Sequence, residues 1–500
     1  MKIFSSSQVR QWEAFTLQEQ GIPSLALMER AAHACFRWLI EHELTLLPIH
    51  LFCGKGNNGG DGLALARMLM ENKIPATVYI LESGKAGSGD FQENLQQLHQ
   101  LNANLHYIQS ADFFPAISNK ELVIDALFGT GLNKPLDDTA GRLAAHLNSS
   151  GAMIVSVDIP SGLYADKSSK GNIVVEASYT LSFQQYKMAF LFPENSRFTG
   201  EIHILPIGLS SHFEEKEPCP VELTDIDLVK KLVPERNPFS HKGNFGHAAL
   251  AAGSIGMMGA AVLAAKGCLC SGAGKLTSHV PACGYTIMQA TVPEAMCNIA
   301  GENTLQEYFT TDGFGCLAIG PGIGTSRETG KWLQKMMLSV KIPLVLDADA
   351  LNILAADPEF ISLVPPGTLI TPHPKEFDRL FGSTENDFER LGLAITKAAA
   401  LNIYIVLKGH FTAIITPMRK VYFNSTGNSG MAKGGMGDAL TGIITGLIAQ
   451  KLLLPEAAIL GVYLHGLAGD FAAEKFTRQA MQATDLLECM ADAWKKLENE

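Results

Sequence analysis

Short apolar runs with the composition of β-strands alternate along this chain with segments of helical length. The first are "IHLFC" (49–53), "ATVYILE" (76–82) and "ELVIDALF" (121–128), preceded by two helical patterns near 7–20 and 25–42. The later runs of this series are "AMIVSVDI", "SYTLSF" and "GEIHILPI". Strands that alternate with helices favour a parallel sheet with helices on both faces, because each parallel pair needs a crossover connection. The pattern therefore predicts a three-layer αβα domain.

A change in composition separates this series from a second one. The segment "GLSSHFEEKEPCPVEL" (208–223) is charged, contains proline and lacks periodicity, which predicts a linker. Alternation then restarts with the runs "HAALAAG", "LTSHV", "CLAIG", "PLVLDA", "TLITPH", "IYIVLKG" and "TAIITP". Because 500 residues exceed the usual size of one domain, we predict two α/β domains, 1–215 and 222–500.

Charge and composition exclude several classes of partner. The net charge of −11 gives no general attraction to nucleic acid or to an anionic membrane. Nine cysteines without a CxxC pair are typical of reduced thiols. The amino-terminal segment lacks the pattern of a signal peptide, and the apolar segments 249–270 and 439–454 are predicted to be buried helices rather than membrane spans. These features predict a cytoplasmic protein.

The segment "CGKGNNGGDG" (53–62) follows the first strand and matches G-x-G-x-x-G. Such a loop brings backbone amides close to a dinucleotide phosphate, and Glu82 lies where a ribose-binding acid is expected. The alternative for such a match taken alone is a tight strand–helix turn. The polar residues Asn57, Asn58 and Asp61 argue against an ordinary hydride-transfer site.

Two further strand ends carry aspartate into a turn, in "VIDALFGTGLNKPL" (123–136) and "VSVDIPSGL" (155–163). Ligands of open α/β sheets bind outside the carboxyl ends of the strands. Residues Asn58, Asp125, Asp158 and Ser161 are therefore predicted to meet in one crevice. Their oxygen atoms suit a hard cation, although a single aspartate at a strand end can also cap a helix.

The motifs "GNNGGDG", "DALFGTGL" and "VDIPSG" together resemble the NAD(P)H-hydrate epimerases. The resemblance implies a Rossmann-like domain, a potassium ion held by Asn58, Asp125 and Ser161, and a carboxylate, Asp158, at the reactive ring. The residues it assigns to the hydrated dinucleotide are Asn57, Asn58, Gly59, Gly60, Asp61, Gly129, Thr130, Gly131, Leu132, Asn133, Lys134, Pro135 and Asp158. One departure is "QQYKMAFL", which keeps Lys187 without the family's proline and glycine; we expect this lysine at the surface.

The segment "KGGMGDALTG" (433–442) opens the predicted apolar helix 439–450. A G-x-G-D sequence at a helix amino terminus offers the amides of Gly435, Met436 and Gly437 to an anion. Asp438 beside them would be repelled by a phosphate unless it removed a proton from an attacking hydroxyl. The alternative is an aspartate that only caps the helix.

Four other segments of the second half end strands in glycine or charged turns. They are "GPGIGTS" (320–326), "LDADALNIL" (346–354), "ITPHPKEFDRL" (370–380) and "VLKGHFTAI" (406–414). His373 in the third segment would by itself be read as a loop histidine whose hydrogen bonds are satisfied, but its neighbours favour a functional role.

These segments, with "HKGNFGHAALAAGS" (241–254), resemble the ADP-dependent NAD(P)H-hydrate dehydratases of the ribokinase-like superfamily. The resemblance implies Asp438 as catalytic base and magnesium held mainly by phosphates, with Asp347 and Glu376 as weak candidates near it. It assigns the hydrated dinucleotide to Ala260, Gly322, His373 and Asp438. It assigns ADP to Lys408, Gly409, His410, Phe411, Thr412 and Gly437.

We therefore expect one chain with two activities on NADH and NADPH hydrates. The first domain would interconvert the R and S epimers, and the second would dehydrate the S form with ADP. The family expectation is also a homo-oligomer. Two alternatives remain: a small-molecule kinase fused to a redox domain, and a first domain that serves only as an interaction module.

Overall fold

Parallel strand pairing organises both halves of the chain. The computed structural model describes residues 1–82 and 84–498. The first unit comprises residues 2–219 and 386–388, and the second comprises Met1, 220–385 and the residues from 389 onward.

The first unit contains a seven-stranded sheet. Its strands are β1 (Ile49–Cys53), β2 (Ala76–Leu81), β3 (Asn104–Ile108), β4 (Leu122–Ala126), β5 (Met153–Val157), β6 (Tyr179–Phe183) and β7 (Glu201–Leu205). Its α-helices are α1 (Ser6–Gln20), α2 (Ser24–Glu41), α3 (Asn57–Glu71), α4 (Gly89–Gln100), α5 (Asp138–Ser149), α6 (Ser196–Thr199) and α7 (Ser211–Lys216). The strand order is β3-β2-β1-β4-β5-β6-β7, with every pair parallel. Strand order therefore reverses between β1 and β4, where a ligand crevice is expected.

The two faces of this sheet are both buried, as three layers require. Leu51 and Phe52 are neighbours in β1 but belong to different hydrophobic clusters. Leu51 packs with Leu63 of α3, whereas Phe52 packs with Leu143 of α5. Successive side chains of a strand point to opposite faces, so the apolar run "IHLFC" fills both cores at once.

The second unit is built on a ten-stranded sheet. Its strands are β8 (Val221–Thr224), β9 (His247–Ala251), β10 (Lys275–Val280), β11 (Met296–Ile299), β12 (Cys316–Ile319), β13 (Leu344–Leu346), β14 (Leu369–Ile370), β15 (Tyr404–Leu407), β16 (Ala413–Ile415) and β17 (Val421–Asn424). Its α-helices are α8 (Ile226–Lys230), α9 (Met258–Cys270), α10 (Ala282–Thr291), α11 (Arg327–Ser339), α12 (Asp349–Ala356), α13 (Pro358–Ile361), α14 (Pro374–Phe381), α15 (Asp387–Leu401), α16 (Met436–Ala449), α17 (Leu454–Ala480), α18 (Ala483–Glu488) and α19 (Met490–Glu498). The order is β11-β10-β9-β12-β13-β14-β15-β16-β17-β8, and only β16 runs antiparallel to its neighbours.

Helices α16 and α9 pack with their backbones in close approach. A β-carbon added to Gly442 would lie 1.9 Å from the carbonyl oxygen of Ala264. One added to Gly267 would lie 2.4 Å from the carbonyl oxygen of Ala439. Glycine at these positions therefore lets α16 sit deep in the core, which holds its amino-terminal turn in a defined place.

Several sequence expectations differ from the structure. The segment predicted as a linker contains α7 and the start of β8, because β8 gains backbone partners from the distant strand β17. The apolar segment 249–270 is the end of β9, a loop and α9, rather than one helix. Strands β3, β11 and β17 were not predicted. Within residues 1–82 and 84–498, no helix is long and apolar enough to cross a membrane, and none of the nine cysteines forms a disulfide.

Candidate active sites

The glycine-rich loop of the first unit lies between β1 and α3. A β-carbon on Gly54 would come within 1.9 Å of the carbonyl oxygen of Leu127, and one on Gly59 within 1.6 Å of the carbonyl oxygen of Gly54. These two glycines therefore allow the loop to pack against itself and the neighbouring loop. Gly56, by contrast, faces open space. Glu82 forms an ion pair with Lys55.

Asp125, at the end of β4, is fully buried and accepts hydrogen bonds from neutral groups. Ser161 donates to it through Oγ at 2.6 Å and through its backbone N–H at 2.9 Å, and Ser156 Oγ donates at 2.8 Å. Burial raises the pKa of Asp125. A bound cation would favour its ionised form.

Asn58, in the first turn of α3, is buried, and neither its Oδ1 nor its Nδ2 has a hydrogen-bond partner among the described residues. Unpaired buried amide groups are costly. Asn58, Asp125 and Ser161 are the three residues that the sequence assigned to a cation, and their amide, carboxylate and hydroxyl oxygens are of the types that hard cations accept.

Asp158 follows β5 and has a left-handed backbone with φ of 68°. Its Oδ2 accepts a hydrogen bond from the backbone N–H of Thr130 at 3.3 Å. A β-carbon on Gly129 would lie 3.2 Å from both this oxygen and Asn58 Cβ. The structure thus brings Asn58, Gly129, Thr130 and Asp158 together at the carboxyl ends of β1, β4 and β5.

Other residues assigned to the hydrated dinucleotide lie around this centre. Asp61 is half-buried on α3, and burial, with the charge of Asp158 second, raises its pKa well above the ordinary value. Residues 131–135 continue the loop from Thr130 and are exposed or half-buried. The backbone oxygen of Asn133 accepts a hydrogen bond from Lys167 at 2.9 Å.

The expectation that Lys187 lies at the surface is wrong. Its side chain is buried, and its Nζ lies 2.7 Å from Asp158 Oδ1. Sequence reasoning also missed Glu13 on α1. Burial, the charge of Asp158 and opposing contributions from Lys187 and Arg10 set the pKa of Glu13 at about 7. The retained lysine in "QQYKMAFL" was a signal for Lys187, whereas Glu13 lies in an ordinary amphipathic helix.

A cavity of about 900 Å³ lies at the carboxyl ends of the central strands in the second unit. The first turn of α16 borders it, including Gly437 and Asp438. Gly435, just before this helix, has φ of 90°, a conformation that favours glycine. Burial, with the charge of Asp347 second, raises the pKa of Asp438 to about 6. The carboxylate of Asp438 therefore has a pKa within about one unit of neutral pH.

Lys408, which directly follows β15, lines the same cavity. Its Nζ lies 2.9 Å from Asp347 Oδ1 and 3.8 Å from Glu376 Oε2. It would also be 3.4 Å from a β-carbon on Gly437. Burial by itself would raise the pKa of Asp347, but Lys408 and the hydroxyls of Thr371 and Thr441 bring it below the ordinary value. The ammonium group is thus held beside the amino terminus of α16, where an anion would bind.

His373 has both a structural and a site position. It caps α14, because its Nδ1 accepts hydrogen bonds from the N–H groups of Lys375 at 3.1 Å and Glu376 at 3.3 Å. Its ring also lines the cavity. His373 therefore has its hydrogen bonds satisfied in the loop and also lies at the candidate site, so the two interpretations are compatible.

The remaining predicted residues fall in two places. Gly409, His410 and Thr412 line the cavity, whereas the ring of Phe411 packs against His410 with 4.6 Å between ring centroids. Ala260 and Gly322 lie beside one another, since a β-carbon on Gly322 would be 3.1 Å from Ala260 Cβ. They are not among the described residues that line the cavity.

Several residues that line the cavity were not predicted as site residues, and His465 and Asn424 are two of them. His465 of α17 is buried, and its Nε2 has no hydrogen-bond partner in the described part of the chain. Burial lowers the pKa of His465 to about 4. Asn424, at the end of β17, lines the cavity as well. Both lie on elements that the motifs do not mark. Across the described ranges, no group of three or more His, Cys, Asp or Glu side chains could hold a metal ion.

Comparison with known proteins relates both halves to one class. Residues 248–491 match the family described as NAD(P)H-hydrate dehydratase, and residues 24–189 match the family described as YjeF-related protein N-terminus. A bifunctional NAD(P)H-hydrate repair enzyme from Moorella thermoacetica is 34% identical over 523 aligned positions, covering 100% of this chain and 98% of that protein.

Two solved structures resemble the second half. A ribokinase-like superfamily protein from Enterococcus faecalis is 28% identical, with a TM-score of 0.50, and covers 56% of this chain and 98% of its own. An ADP/ATP-dependent NAD(P)H-hydrate dehydratase from Bacillus subtilis, co-crystallized with ATP/Mg²⁺, is 33% identical, with a TM-score of 0.49. The match covers 56% of this chain and 99% of the dehydratase chain. With both domain families matched and similarity over the full length, the chain belongs to the bifunctional NAD(P)H-hydrate repair enzymes.

Proposed function

We propose that the two units carry out successive steps in the repair of hydrated NADH and NADPH. The first unit interconverts the R and S hydrates at Asp158, and the second dehydrates the S hydrate with ADP at Asp438. The observation that carries this proposal is the position of Asp438, a half-buried carboxylate with a pKa of about 6 in the first turn of α16, beside Lys408.

The first reaction needs reversible loss of water from the hydroxylated ring carbon, assisted by proton transfer to and from the oxygen. Asp158 protonates the hydroxyl group, so that water leaves and the ring nitrogen stabilises the resulting cation. The same carboxylate then removes a proton from water that returns to either face. Thr130, whose N–H already contacts Asp158, belongs to the loop that binds the dinucleotide in this proposal.

The first site also fits a potassium ion, as the resemblance implies. The unpaired amide of Asn58, the buried carboxylate of Asp125 and the hydroxyl of Ser161 would hold it. When bound, it supplies a positive charge that stabilises these polar groups and the adjacent loops.

In the second reaction, Asp438 removes the proton from the hydroxyl group of the hydrate. The resulting oxygen attacks the β-phosphoryl group of ADP, and AMP leaves. The N–H groups at the start of α16 and the ammonium of Lys408 stabilise the charge on the phosphoryl group. The ring nitrogen then expels phosphate, and loss of a ring proton restores NADH or NADPH.

ADP is proposed to occupy the 900 Å³ cavity, with its phosphates towards Gly437 and with Lys408, Gly409, His410 and Thr412 around it. Phe411 is proposed to support His410 through their ring contact. Ala260, Gly322 and His373 are proposed to bind the hydrate. A magnesium ion would be held mainly by the phosphates. Asp347 and Glu376 are weak candidates beside it, since both already lie near the Lys408 ammonium.

The central experiment incubates the protein with an equal mixture of R and S NADH hydrates and ADP, and follows the absorbance of restored NADH. The wild type is expected to restore both epimers. Asp438→Asn should lower the dehydration rate at least about 100-fold while epimer exchange continues. Asp158→Asn should limit fast recovery to the S half.

Other outcomes distinguish the alternatives. No recovery of NADH, with phosphate transferred to a stable acceptor, would indicate a kinase. Recovery of only half of the mixture by the wild type would indicate a first unit without epimerase activity. Loss of epimer exchange in Asp438→Asn would contradict the assignment of two separate sites.

We also propose a cytoplasmic homo-oligomer on the basis of the family resemblance. Sedimentation of the purified chain would measure its mass, and a monomer at micromolar concentration would contradict this proposal.

A further inference from the structure

Lys187 is an unexpected feature of the first site. It follows β6 and is only 3% exposed, although lysine ammonium groups are strongly hydrated. Its Nζ contacts Asp158 Oδ1 at 2.7 Å, Ser182 Oγ at 2.7 Å and the backbone oxygen of Phe183 at 3.2 Å. An ammonium group has three N–H donors, so these contacts use all of them.

The two oxygens of the Asp158 carboxylate consequently have different surroundings. Oδ1 is paired with Lys187, whereas Oδ2 accepts the Thr130 N–H and faces Gly129. The backbone of Asp158 is also anchored, since its N–H donates to the Leu181 carbonyl oxygen at 2.8 Å. Only Oδ2 is directed towards the loop that binds substrate in the proposed function.

The backbone conformation of Asp158 is one that must be held by surrounding contacts. Its φ of 68° is uncommon for a residue with a side chain. Conformations of this kind persist where surrounding contacts hold them. The end of β6, through Leu181 and Lys187, provides those contacts.

We propose that Lys187 is a positioning residue for epimerisation, which holds Asp158 Oδ1 so that Oδ2 carries the proton. This inference rests on the proposed epimerase function of the first unit. Lys187 itself does not touch the substrate, and its effect is transmitted through Asp158. Misplacement of a catalytic group by about 1 Å can lower a rate about 100-fold.

The first experiment compares epimerisation by the full chain and by Lys187→Met. We expect kcat to fall about 100-fold, with KM changed less than about threefold. Lys2→Met is the matched control, because Lys2 also has three hydrogen-bond acceptors in the first unit, all of them backbone oxygens, and has no hydrogen bond to Asp158. Dehydration of the S hydrate by the same preparations checks that the second unit is intact.

A rescue experiment separates positioning from a general structural role. Ethylammonium added to Lys187→Ala should restore part of kcat, since it supplies N–H donors and a positive charge. Tetramethylammonium has the charge but no N–H group and should not restore it. Equal rescue by both ions, or by neither, would overturn the proposed hydrogen-bonded role.

A second variant tests the positioning role of Lys187 even if substitutions at Lys187 itself prevent folding. Ser182→Ala removes one hydrogen bond of Lys187 and leaves Asp158 unaltered. We expect kcat for epimerisation to fall about fivefold. An unchanged kcat in Ser182→Ala or in folded Lys187→Met would overturn the inference, as would a rise in KM with kcat retained. Absence of epimerisation by the wild type would instead contradict the proposed function.

Discussion

Lys408 Nζ lies 2.9 Å from the buried Asp347 Oδ1, and this ion pair borders Asp438 in the second unit. Burial and the Asp347 carboxylate raise the pKa of Asp438 to about 6, while Lys408 opposes them. The base is ionised above this pH. We therefore expect kcat/KM for dehydration to be constant above about pH 7 and to fall about tenfold per pH unit well below pH 6. Initial rates of NADH recovery between pH 4.5 and about pH 8 would test this.

The same geometry predicts opposite effects of two substitutions. Asp347→Asn removes a like charge and leaves Lys408 with Glu376 as its remaining carboxylate partner, so the acid limb of the profile should move to lower pH. Lys408→Met removes the opposing charge and should move it to higher pH. Shifts in one common direction, or no shift, would contradict the electrostatic coupling.

Potassium is expected to stabilise the first unit through Asn58. At concentrations about 100 times the dissociation constant, the gain would be about 2.7 kcal/mol, seen as a higher midpoint of thermal unfolding than in choline. Asn58→Ala should remove this difference and epimerisation, but not dehydration. The matched control is Asn94→Ala, because Asn94 is also buried with an unpaired Oδ1. A potassium effect that survives in Asn58→Ala would contradict the assigned ligand.

Glu13 is expected to lower the stability of the first unit as pH rises. Its pKa is raised from 4.5 to about 7, so the folded state binds more protons than the unfolded state between these values. Stability is therefore lost as pH increases through this window. Glu13→Gln should match the wild type below about pH 4.5 and exceed it by about 2 kcal/mol at about pH 8 in denaturant unfolding.

Glu19→Gln is the control for this prediction. Glu19 lies on the same helix, and hydrogen bonds from Ser210 and His212 lower its pKa. Its replacement should give no stabilisation that grows with pH. A gain in Glu13→Gln that is independent of pH would show that burial of the charge is not the cause.

The close approach of α16 to α9 should make Gly442 intolerant of a side chain. Gly442→Ala places a β-carbon 1.9 Å from the Ala264 carbonyl oxygen, so the helices must separate. We expect a loss of about 3 kcal/mol of unfolding free energy in the second unit. Gly434→Ala, where nothing lies within 4 Å, should change it by less than about 0.5 kcal/mol. Equal effects of the two substitutions would contradict this packing explanation.

Much of the fold follows from local pattern. The runs at 49–53 and 121–128 are apolar and bounded by turn residues, and both are strands. Strand β3 was missed because its residues are mostly exposed at the sheet edge and lack a buried face. Strand β8 was missed because its pairing with β17 joins residues about two hundred positions apart. Such pairing leaves no periodic signal in either segment.

For the sites, the sequence by itself determined which residue types stand at the ends of successive strands. Parallel strands bring those ends to one edge, and this is why Asp125 and Asp158 could be placed in one crevice from their motifs. Only the tertiary structure decided that Lys187 is buried against Asp158 and that Lys408 is held by Asp347. The physical reason is that a charged side chain looks the same in a local pattern whether water or another charge surrounds it. That choice depends on which distant elements pack around it.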